Sequence, residues 1–255
     1  MHPKSGSFTS RDRDDQVLAQ FGSPGAAARY AAEQEGAGSS ARFAAARRRL
    51  VLRALSSPPG PEVLDLGCGP GQTASALLPR FRVTALDRSP AMAEECTRRC
   101  EGAVRAVVGT VEDLPLLDNH FDAVLLLGVL EYTDAARVFH EASRVLRSGG
   151  LLLASMLNPG CPHRVVQLQV KWPLLRLARA VERALGVPPE RRHGRVEHGM
   201  RILPPRAVRD LATASGLVPA GVTYFDPMRP LPAREITGGW RASWATGYLF
   251  EGRKP

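Results

Sequence analysis

Short apolar segments alternate with amphipathic helical segments from residue 62 to residue 157. Two of these segments, DAVLLLG and LLLASMLN, are apolar almost throughout, which is typical of strands covered on both faces. Repeated strand–helix units of this length predict a parallel sheet with helices on both of its faces. The predicted strands are residues 62–66, 82–87, 104–109, 122–128 and 151–158.

The rest of the chain surrounds this alternating region. Residues 217–226 and 243–252 have the pattern of two closing strands. Residues 1–56 consist of a polar tail followed by helical segments, and the sequence PPGP after them marks a break. Residues 159–205 are basic and rich in proline, and we predict that they form a helical lid inserted over one end of the sheet. We therefore expect an N-terminal part, 1–56, and one core domain, 57–255, that includes the lid.

The charge of the chain is unevenly distributed. The formal net charge is +9, and residues 161–209 alone hold eleven Lys or Arg against three Glu. Such a basic segment attracts nucleic acid, anionic lipid or acidic substrates. No apolar run reaches the roughly 20 residues that span a bilayer, and the N-terminus lacks the apolar stretch of a signal peptide. We therefore expect a cytoplasmic protein.

Three glycines follow the first predicted strand at alternate positions, in VLDLGCGPGQT. A dinucleotide site has the spacing G-x-G-x-x-G and a phosphate loop needs G-x-x-x-x-G-K-[ST], and neither occurs here. Asp65 precedes the glycines, and its carboxylate would repel a pyrophosphate but attract an ammonium group. The loop of Gly67, Gly69 and Gly71 therefore predicts a ligand with a positive group and without phosphate.

A second carboxylate ends the second predicted strand. Asp87 lies 22 residues after Asp65, where an acid can accept two hydrogen bonds from vicinal ribose hydroxyls. Its alternative role is to cap the following helix, but Ser89 already suits that position. The ligand thus combines a ribose with a positive group, a description that fits S-adenosylmethionine.

Four segments in order resemble one family. VLDLGCGPG, VTALDRSPAM, VEDLPLLDNHFDAVLLLGVLEY and EASRVLRSGGLLLAS resemble the class I methyltransferases that use S-adenosylmethionine, in the small-molecule, methyltransferase type 11-like subgroup. The resemblance covers roughly residues 60–157 in detail. It implies an α/β fold with a Rossmann-like, doubly wound sheet of seven strands, mostly parallel with an antiparallel last strand. It also implies N-terminal helices that cover the cofactor.

The resemblance further implies a cofactor site made of residues from five parts of the chain. In the family, an acid after the third strand usually forms a hydrogen bond with adenine, and Thr110 takes its place here. The Val111 amide, Glu112 and Asp113 are therefore also candidates for contacts with adenine. Gly128 would let the methionine end of the cofactor pass. The cofactor-binding residues implied in this way are Asp65, Gly67, Gly69, Gly71, Asp87, Arg88, Thr110, Val111, Glu112 and Gly128, with Tyr30 and Arg42 from the N-terminal helices; no metal is implied.

Methyl transfer mainly requires that donor and acceptor are aligned and water is excluded. A hydroxyl acceptor also benefits from a general base. We single out His198, which lies shortly before the chain returns to the sheet, and Tyr132, at a position where the family commonly has histidine. The other candidates are Glu131, His163 and His193. Whether the acceptor atom is oxygen, nitrogen or carbon stays open.

Other functional classes compete with this interpretation. The glycine spacing disfavours an oxidoreductase with a nucleotide cofactor. A nucleic-acid (RNA) methyltransferase would use the basic lid, but the chain has no Asn-Pro-Pro-Tyr or Asp-Pro-Pro-Tyr motif, and LNPG (157–160) has only part of that chemistry. A non-catalytic protein that binds S-adenosylmethionine is the third alternative. We favour a small-molecule acceptor, lipophilic or anionic.

One segment of the lid, KWPLLRLARAVERALG (171–186), predicts an amphipathic helix. Leu174, Leu177, Val181 and Leu185 follow steps of three and four residues and form an apolar stripe. In one interpretation this stripe packs against the sheet. In the other, the basic amphipathic helix meets an anionic membrane surface or a lipophilic, acidic substrate.

Overall fold

A computed structural model of the protein is built around one seven-stranded sheet. The structure describes residues 18, 21–57, 59–166, 169–170, 172–187, 201–226 and 242–255. The strand order is β3-β2-β1-β4-β5-β7-β6; the first five strands are parallel, and β7 runs antiparallel to both of its neighbours. The strands are β1 (Glu62–Leu66), β2 (Arg82–Asp87), β3 (Arg105–Val108), β4 (Phe121–Leu127), β5 (Leu146–Leu157), β6 (Val218–Phe225) and β7 (Gly247–Arg253). This arrangement confirms the predicted fold class.

The order of the strands reverses between β1 and β4. Asp65 of β1 pairs with Ala85 of β2 on one side and with Leu125 of β4 on the other. The chain therefore winds outward in both directions from this pair and leaves a crevice at the carboxyl ends of β1 and β4. Such a switch point is where open α/β sheets bind their ligands.

Helices cover both faces of the sheet and create two separate cores. The face that includes Val63, Leu125 and Leu153 packs against α2, α3 and α4, and the face that includes Leu64 and Leu126 packs against α5 and α8. The helices are α1 (Pro24–Glu35), α2 (Ser39–Ala54), α3 (Gln72–Leu77), α4 (Pro90–Arg99), α5 (Ala135–Val145), α6 (Pro162–Val166), α7 (Trp172–Ala184) and α8 (Pro205–Ala214), and a 3₁₀ turn spans Ala242–Trp244.

The junction between α5 and β5 differs from the sequence-based expectation. The sequence pattern of residues 134–150 predicts a helix that ends at the glycine pair, yet α5 ends at Val145 because Leu146 already pairs with Phe121. The register shifts beyond this pair, and Arg147 reaches back to an ion pair with Asp122 at 2.9 Å. The glycines therefore lie inside an irregular strand rather than after a helix.

Helix α7, in the segment that was predicted to form a lid, exposes its apolar stripe. Leu174, Leu177, Val181 and Leu185 are 50% to 75% exposed. The expectation that this stripe packs against the sheet is therefore wrong. No helix in the described part of the chain is long and apolar enough to cross a membrane.

Candidate active site

The glycine loop sits at the switch point and adopts a backbone that only glycine takes readily. Gly67, Gly69 and Gly71 have φ of 68°, 52° and 84°, all in the left-handed region. A Cβ on Gly67 would lie 2.3 Å from a methyl group of Val129, so this position has no room for a side chain. At Gly69 the nearest atom to such a Cβ belongs to the Tyr30 ring, at 3.7 Å. A ligand can therefore approach the backbone of the loop closely.

The carboxylate of Asp87 ties this loop to the next helix. One oxygen accepts the Gly69 amide at 2.9 Å, and the other accepts the Ser89 amide, also at 2.9 Å. Burial raises the pKa of Asp87, and the amides of Ser89, Gly69 and Arg88 oppose the rise. The Ser89 hydroxyl caps α4 through the Met92 amide, as expected. Because each carboxylate oxygen has further lone pairs, Asp87 can still accept hydroxyl groups from a ligand.

Asp65 is a buried acid without a hydrogen-bond partner among the described residues. Asp65 is 1% exposed, and neither of its carboxylate oxygens has a hydrogen bond to the described residues. Burial raises the pKa of Asp65 to about 7; Arg47 opposes the rise and Asp87 adds to it. A buried polar group without a partner is costly, so an ammonium group placed here would be strongly favoured.

Arg47 extends from α2 over the end of β4, and the sequence-based reasoning missed it. Its Nη1 donates to the Leu127 carbonyl at 3.1 Å and lies 2.9 Å from where a Cβ on Gly128 would be. Arg42, the residue proposed instead, is exposed and bonds the Ala37 carbonyl. The missed signal is helical phase, because Arg47 lies three residues after buried Ala44 and four before buried Val51.

Tyr30, whose ring lies beside Gly69, belongs to a cluster of three aromatic rings. The ring of Phe21 meets Tyr30 edge-on at 5.3 Å between centroids and Tyr132 edge-on at 6.4 Å. Burial raises the pKa of Tyr30; Arg47 opposes the rise, while Glu131, Asp87 and Glu33 add to it. Tyr30 therefore lies among the charged groups of the site, and Tyr132 belongs to the same aromatic cluster.

In the segment after β3, residues 110–112, the side chains mostly contact other groups of the protein. The Thr110 hydroxyl donates to the Glu112 carboxylate, whose other oxygen accepts the Asp134 amide at 3.2 Å. The Val111 side chain is buried in one core, and Arg88 is partly buried directly after β2. Glu112 is thus less free to bind a ligand than the sequence suggested, whereas backbone groups of this segment stay suitable for reading adenine.

Buried polar atoms without partners mark the same edge of the sheet. In the part of the chain that the structure describes there are six, and they belong to Asp65, Gln72, Glu131, Ser155 and Thr246. Each of these residues lies on or near the carboxyl ends of the parallel strands, because β7 is antiparallel and begins beside the end of β5. Native proteins rarely leave such atoms unpaired, so their clustering indicates a ligand site.

The catalytic candidates fare differently. His198 and His193 lie outside the described residues, and so does the side chain of His163 on α6. Roles for Tyr132 and His198 stay predictions. Glu131, in contrast, is 5% exposed and lies at the crevice with an unpartnered oxygen.

A doubly wound sheet with a glycine loop after its first strand and a carboxylate after its second is typical of domains that bind nucleoside-containing cofactors at the switch point. Comparison with known proteins agrees. Residues 64–154 match the family model described as a methyltransferase domain. This part of the chain is therefore a class I methyltransferase domain with S-adenosylmethionine as its cofactor, and the resemblance seen in the sequence is confirmed.

Curated relatives are similar over the same region. A malonyl-[acyl-carrier protein] O-methyltransferase of Dechloromonas aromatica is 33% identical over 128 residues, which cover 48% of this chain and 47% of the relative. A demethylmenaquinone methyltransferase of Thermotoga maritima is 36% identical over 118 residues, covering 44% and 51%. The chain thus spans about half the length of these relatives.

Solved structures extend the likeness to the whole fold. The geranyl diphosphate C-methyltransferase of Streptomyces coelicolor, solved with geranyl diphosphate and S-adenosyl-L-homocysteine, has a TM-score of 0.59 and 18% identity, and the match covers 100% of both chains. At this identity the similarity shows the fold alone.

Replacing Asp65 with Asn should stabilise the cofactor-free protein at high pH. Because the pKa of folded Asp65 lies above its ordinary value, the folded protein keeps a proton that the unfolded chain has lost between about pH 4 and pH 7. Stability therefore falls as the pH rises through this window. We expect the free energy of unfolding of D65N to exceed that of the wild type by about 2–4 kcal/mol at pH 8. Near pH 4 the two values should differ little. Urea denaturation at both pH values measures the difference.

Asp122 provides the matched control. It is also buried, but it accepts the Glu62 amide at 2.9 Å and pairs with Arg147. D122N should therefore lower the free energy of unfolding at pH 8. A D65N variant that is destabilised like D122N would contradict the unpaired state of Asp65.

Proposed function

We propose that this protein transfers the methyl group of S-adenosylmethionine to a small-molecule acceptor. The observation that carries the proposal is the cluster of unpartnered buried polar atoms at the switch point of a methyltransferase domain. Their positions suit two ligands side by side, because Asp65 and Gln72 flank the glycine loop, whereas Ser155 and Thr246 belong to the β5 and β7 end of the crevice.

The cofactor half of the site is assigned as follows. Asp65 receives the ammonium group of the methionine part, and Asp87 receives the ribose hydroxyls. Arg47, in place of Arg42, is suited to the methionine carboxylate, because its guanidinium lies next to Gly128 and within the field of Asp65. Tyr30 covers the loop at Gly69. The charges of Asp65 and Arg47 are opposite to those of the ammonium and carboxylate groups that they would bind.

When bound, the cofactor supplies a methyl group on a sulfonium, which leaves as a neutral thioether. The chain then has to align the acceptor and exclude water. The aromatic cluster of Phe21, Tyr30 and Tyr132 is suited to shield the crevice from solvent at the side of the N-terminal helices.

Replacing Asp87 with Ala should weaken binding of S-adenosylhomocysteine by about 1.5–3 kcal/mol, since hydrogen bonds to a charged acceptor contribute this much. The 2′,3′-dideoxy analogue separates this effect from damage to the glycine loop. We expect the analogue to bind the wild type and D87A with similar affinity in calorimetry, because it lacks the groups that Asp87 would bind. An equal loss for both ligands would mean that Asp87 acts only through the Gly69 and Ser89 amides.

The acceptor class is a small molecule rather than nucleic acid. The relatives are named for malonyl-[acyl-carrier protein] and demethylmenaquinone, and the structural neighbour for geranyl diphosphate. Among the described residues, Glu131, Ser155 and Thr246 have buried polar atoms without partners on this side of the crevice, and such groups suit the positioning of one reactive atom.

Isotope-labelled methyl donor tests the function directly. The purified protein is incubated with a cell extract and S-adenosylmethionine that carries a labelled methyl group, and the extract is then separated into small molecules, RNA and protein. We expect label in the small-molecule fraction, and D87A should transfer less of it at limiting donor concentration. Label in RNA would instead support the nucleic-acid alternative, and binding of donor without any transfer would support a non-catalytic role.

The lid adds a second contact, which we assign to an anionic lipid surface. The stripe of α7 exposes Leu174, Leu177, Val181 and Leu185, and the segment around it carries a large excess of positive charge. An amphipathic helix with this combination lies in the membrane interface. Each basic side chain near an anionic bilayer adds about 1 kcal/mol, and salt screens this attraction.

Co-sedimentation with vesicles should therefore depend on lipid charge. We expect binding to anionic vesicles at low salt, weaker binding at high salt, and little binding to neutral vesicles. The L174S/L177S double variant should lose binding, whereas L117S should keep it, because Leu117 is equally exposed but lies in the loop before β4. Negligible sedimentation of the wild type with every vesicle would exclude the membrane contact.

A further inference from the structure

Glu131 is a buried acid on the acceptor side of the crevice, and none of the proposed cofactor contacts involves it. It follows β4 by four residues and Gly128 by three, so it lies just beyond the point where the methionine end is expected to pass. Its residue is 5% exposed, and Oε2 has no hydrogen-bond partner among the described residues. Its main-chain carbonyl accepts the Arg201 amide at 2.9 Å, which fixes the backbone where the lid rejoins the core.

Charged and titratable side chains from four elements interact electrostatically with Glu131. These are Arg47 of α2, Arg164 of α6, Tyr30 of α1 and Tyr248 of β7. Burial raises the pKa of Glu131 to about 7, and its own amide, Arg47, the Leu157 amide and Arg164 oppose the rise. At neutral pH the carboxyl group is therefore poised between its two protonation states.

The two neighbouring tyrosines are poor alternatives as proton acceptors. Burial, and then the charges of Glu131 and Tyr224, raise the pKa of Tyr248, whose hydroxyl donates to the Leu203 carbonyl at 2.6 Å. Burial also raises the pKa of Tyr30. Both phenols thus stay protonated at neutral pH, and Glu131 is the group of this set that can take a proton.

We propose that Glu131 is the general base of the methyl transfer and that the acceptor is a neutral hydroxyl compound, such as a phenol or an enol. This inference rests on the proposed function. The O–H bond of the acceptor breaks and its proton moves to Oε2 of Glu131, while the acceptor oxygen forms a bond to the methyl carbon. The carbon–sulfur bond breaks and its electron pair stays on sulfur. A cationic sulfonium and an anionic carboxylate thereby become a neutral thioether and a neutral carboxylic acid.

The charges around Glu131 favour a hydroxyl over other acceptors. Guanidinium groups of Arg47 and Arg164 stabilise negative charge that develops on an oxygen, and they disfavour an ammonium form of an amine. A carboxylate acceptor needs no base and would be repelled by ionised Glu131. The hydroxyls of Ser155 and Thr246 have no partner in the described residues and can orient the acceptor.

The test compares the wild type with E131Q, which keeps the shape of the side chain, and with E94Q as a control on the exposed surface of α4. The first readout uses protein with ¹³C-labelled glutamate carboxyl groups, saturated with S-adenosylhomocysteine. We expect one carboxyl resonance that titrates near pH 7 in the wild type and in E94Q and is absent from E131Q. A Glu131 midpoint below pH 5 would overturn the proposal.

The second readout is transfer of labelled methyl groups to the small-molecule fraction of an extract. General acid–base groups contribute about 10²- to 10⁴-fold, so E131Q should lose at least a hundredfold in rate while its affinity for S-adenosylhomocysteine changes less than threefold. In the wild type the rate should rise with pH around 7, as Glu131 ionises. Transfer by E131Q within threefold of the wild type would overturn the base role and leave the proposed function intact, whereas no transfer by the wild type would overturn both.

The chemical stability of the product decides the acceptor class. A methyl ether resists mild alkali and releases labelled methyl iodide in hot hydriodic acid. Label that mild alkali releases would indicate an ester, and label that survives the hot acid would indicate a methylated nitrogen or carbon. Either of these results would overturn the hydroxyl assignment.

Discussion

The reversal of strand order between β1 and β4 is the constraint on which the rest of the molecule depends. At this single place neighbouring parallel strands send their following segments to opposite faces of the sheet, so no connection covers the ends of the two strands. The glycine loop, Asp87 and Gly128 all border the resulting crevice. The helices that close it, α1 and α2, precede the first strand, and they lie outside the region that matches the methyltransferase family model.

Much of the cofactor half was readable from the sequence because it depends on local chemistry. The strands are continuous apolar runs, and the glycines of the loop have left-handed φ values. Asp65 and Asp87 lie next to the turns that follow β1 and β2. Arg47 was not predicted, because its role depends on where α2 packs across the sheet, 80 residues away in sequence from the Leu127 carbonyl that it contacts. Sequence reasoning selected Arg42 on the same helix, and it is the phase of α2, with buried Ala44 and Val51 on either side of Arg47, that separates the two arginines.

The acceptor half was harder to predict for a related reason. Glu131, Ser155 and Thr246 come from separate segments of the chain, and Thr246 comes to the crevice only because β7 inserts antiparallel next to β5. The lid stripe shows the opposite error. Its pattern correctly predicted an amphipathic helix, but periodicity specifies which residues share a face and not which surface that face meets. The end of α5 likewise followed strand pairing at Leu146 rather than the glycines beyond it.

The unpaired acid in β1 makes the cofactor site a chemical link between ligand binding and the solvent. Because burial raises the pKa of Asp65 to about 7, part of the cofactor-free molecules carry a proton on this carboxyl group at neutral pH. A ligand ammonium group stabilises the ionised form, so the arrival of the cofactor expels this proton. Cofactor loading therefore carries a buffer-dependent heat and tightens with rising pH, and this proton is separate from the one that the acceptor gives up during methyl transfer.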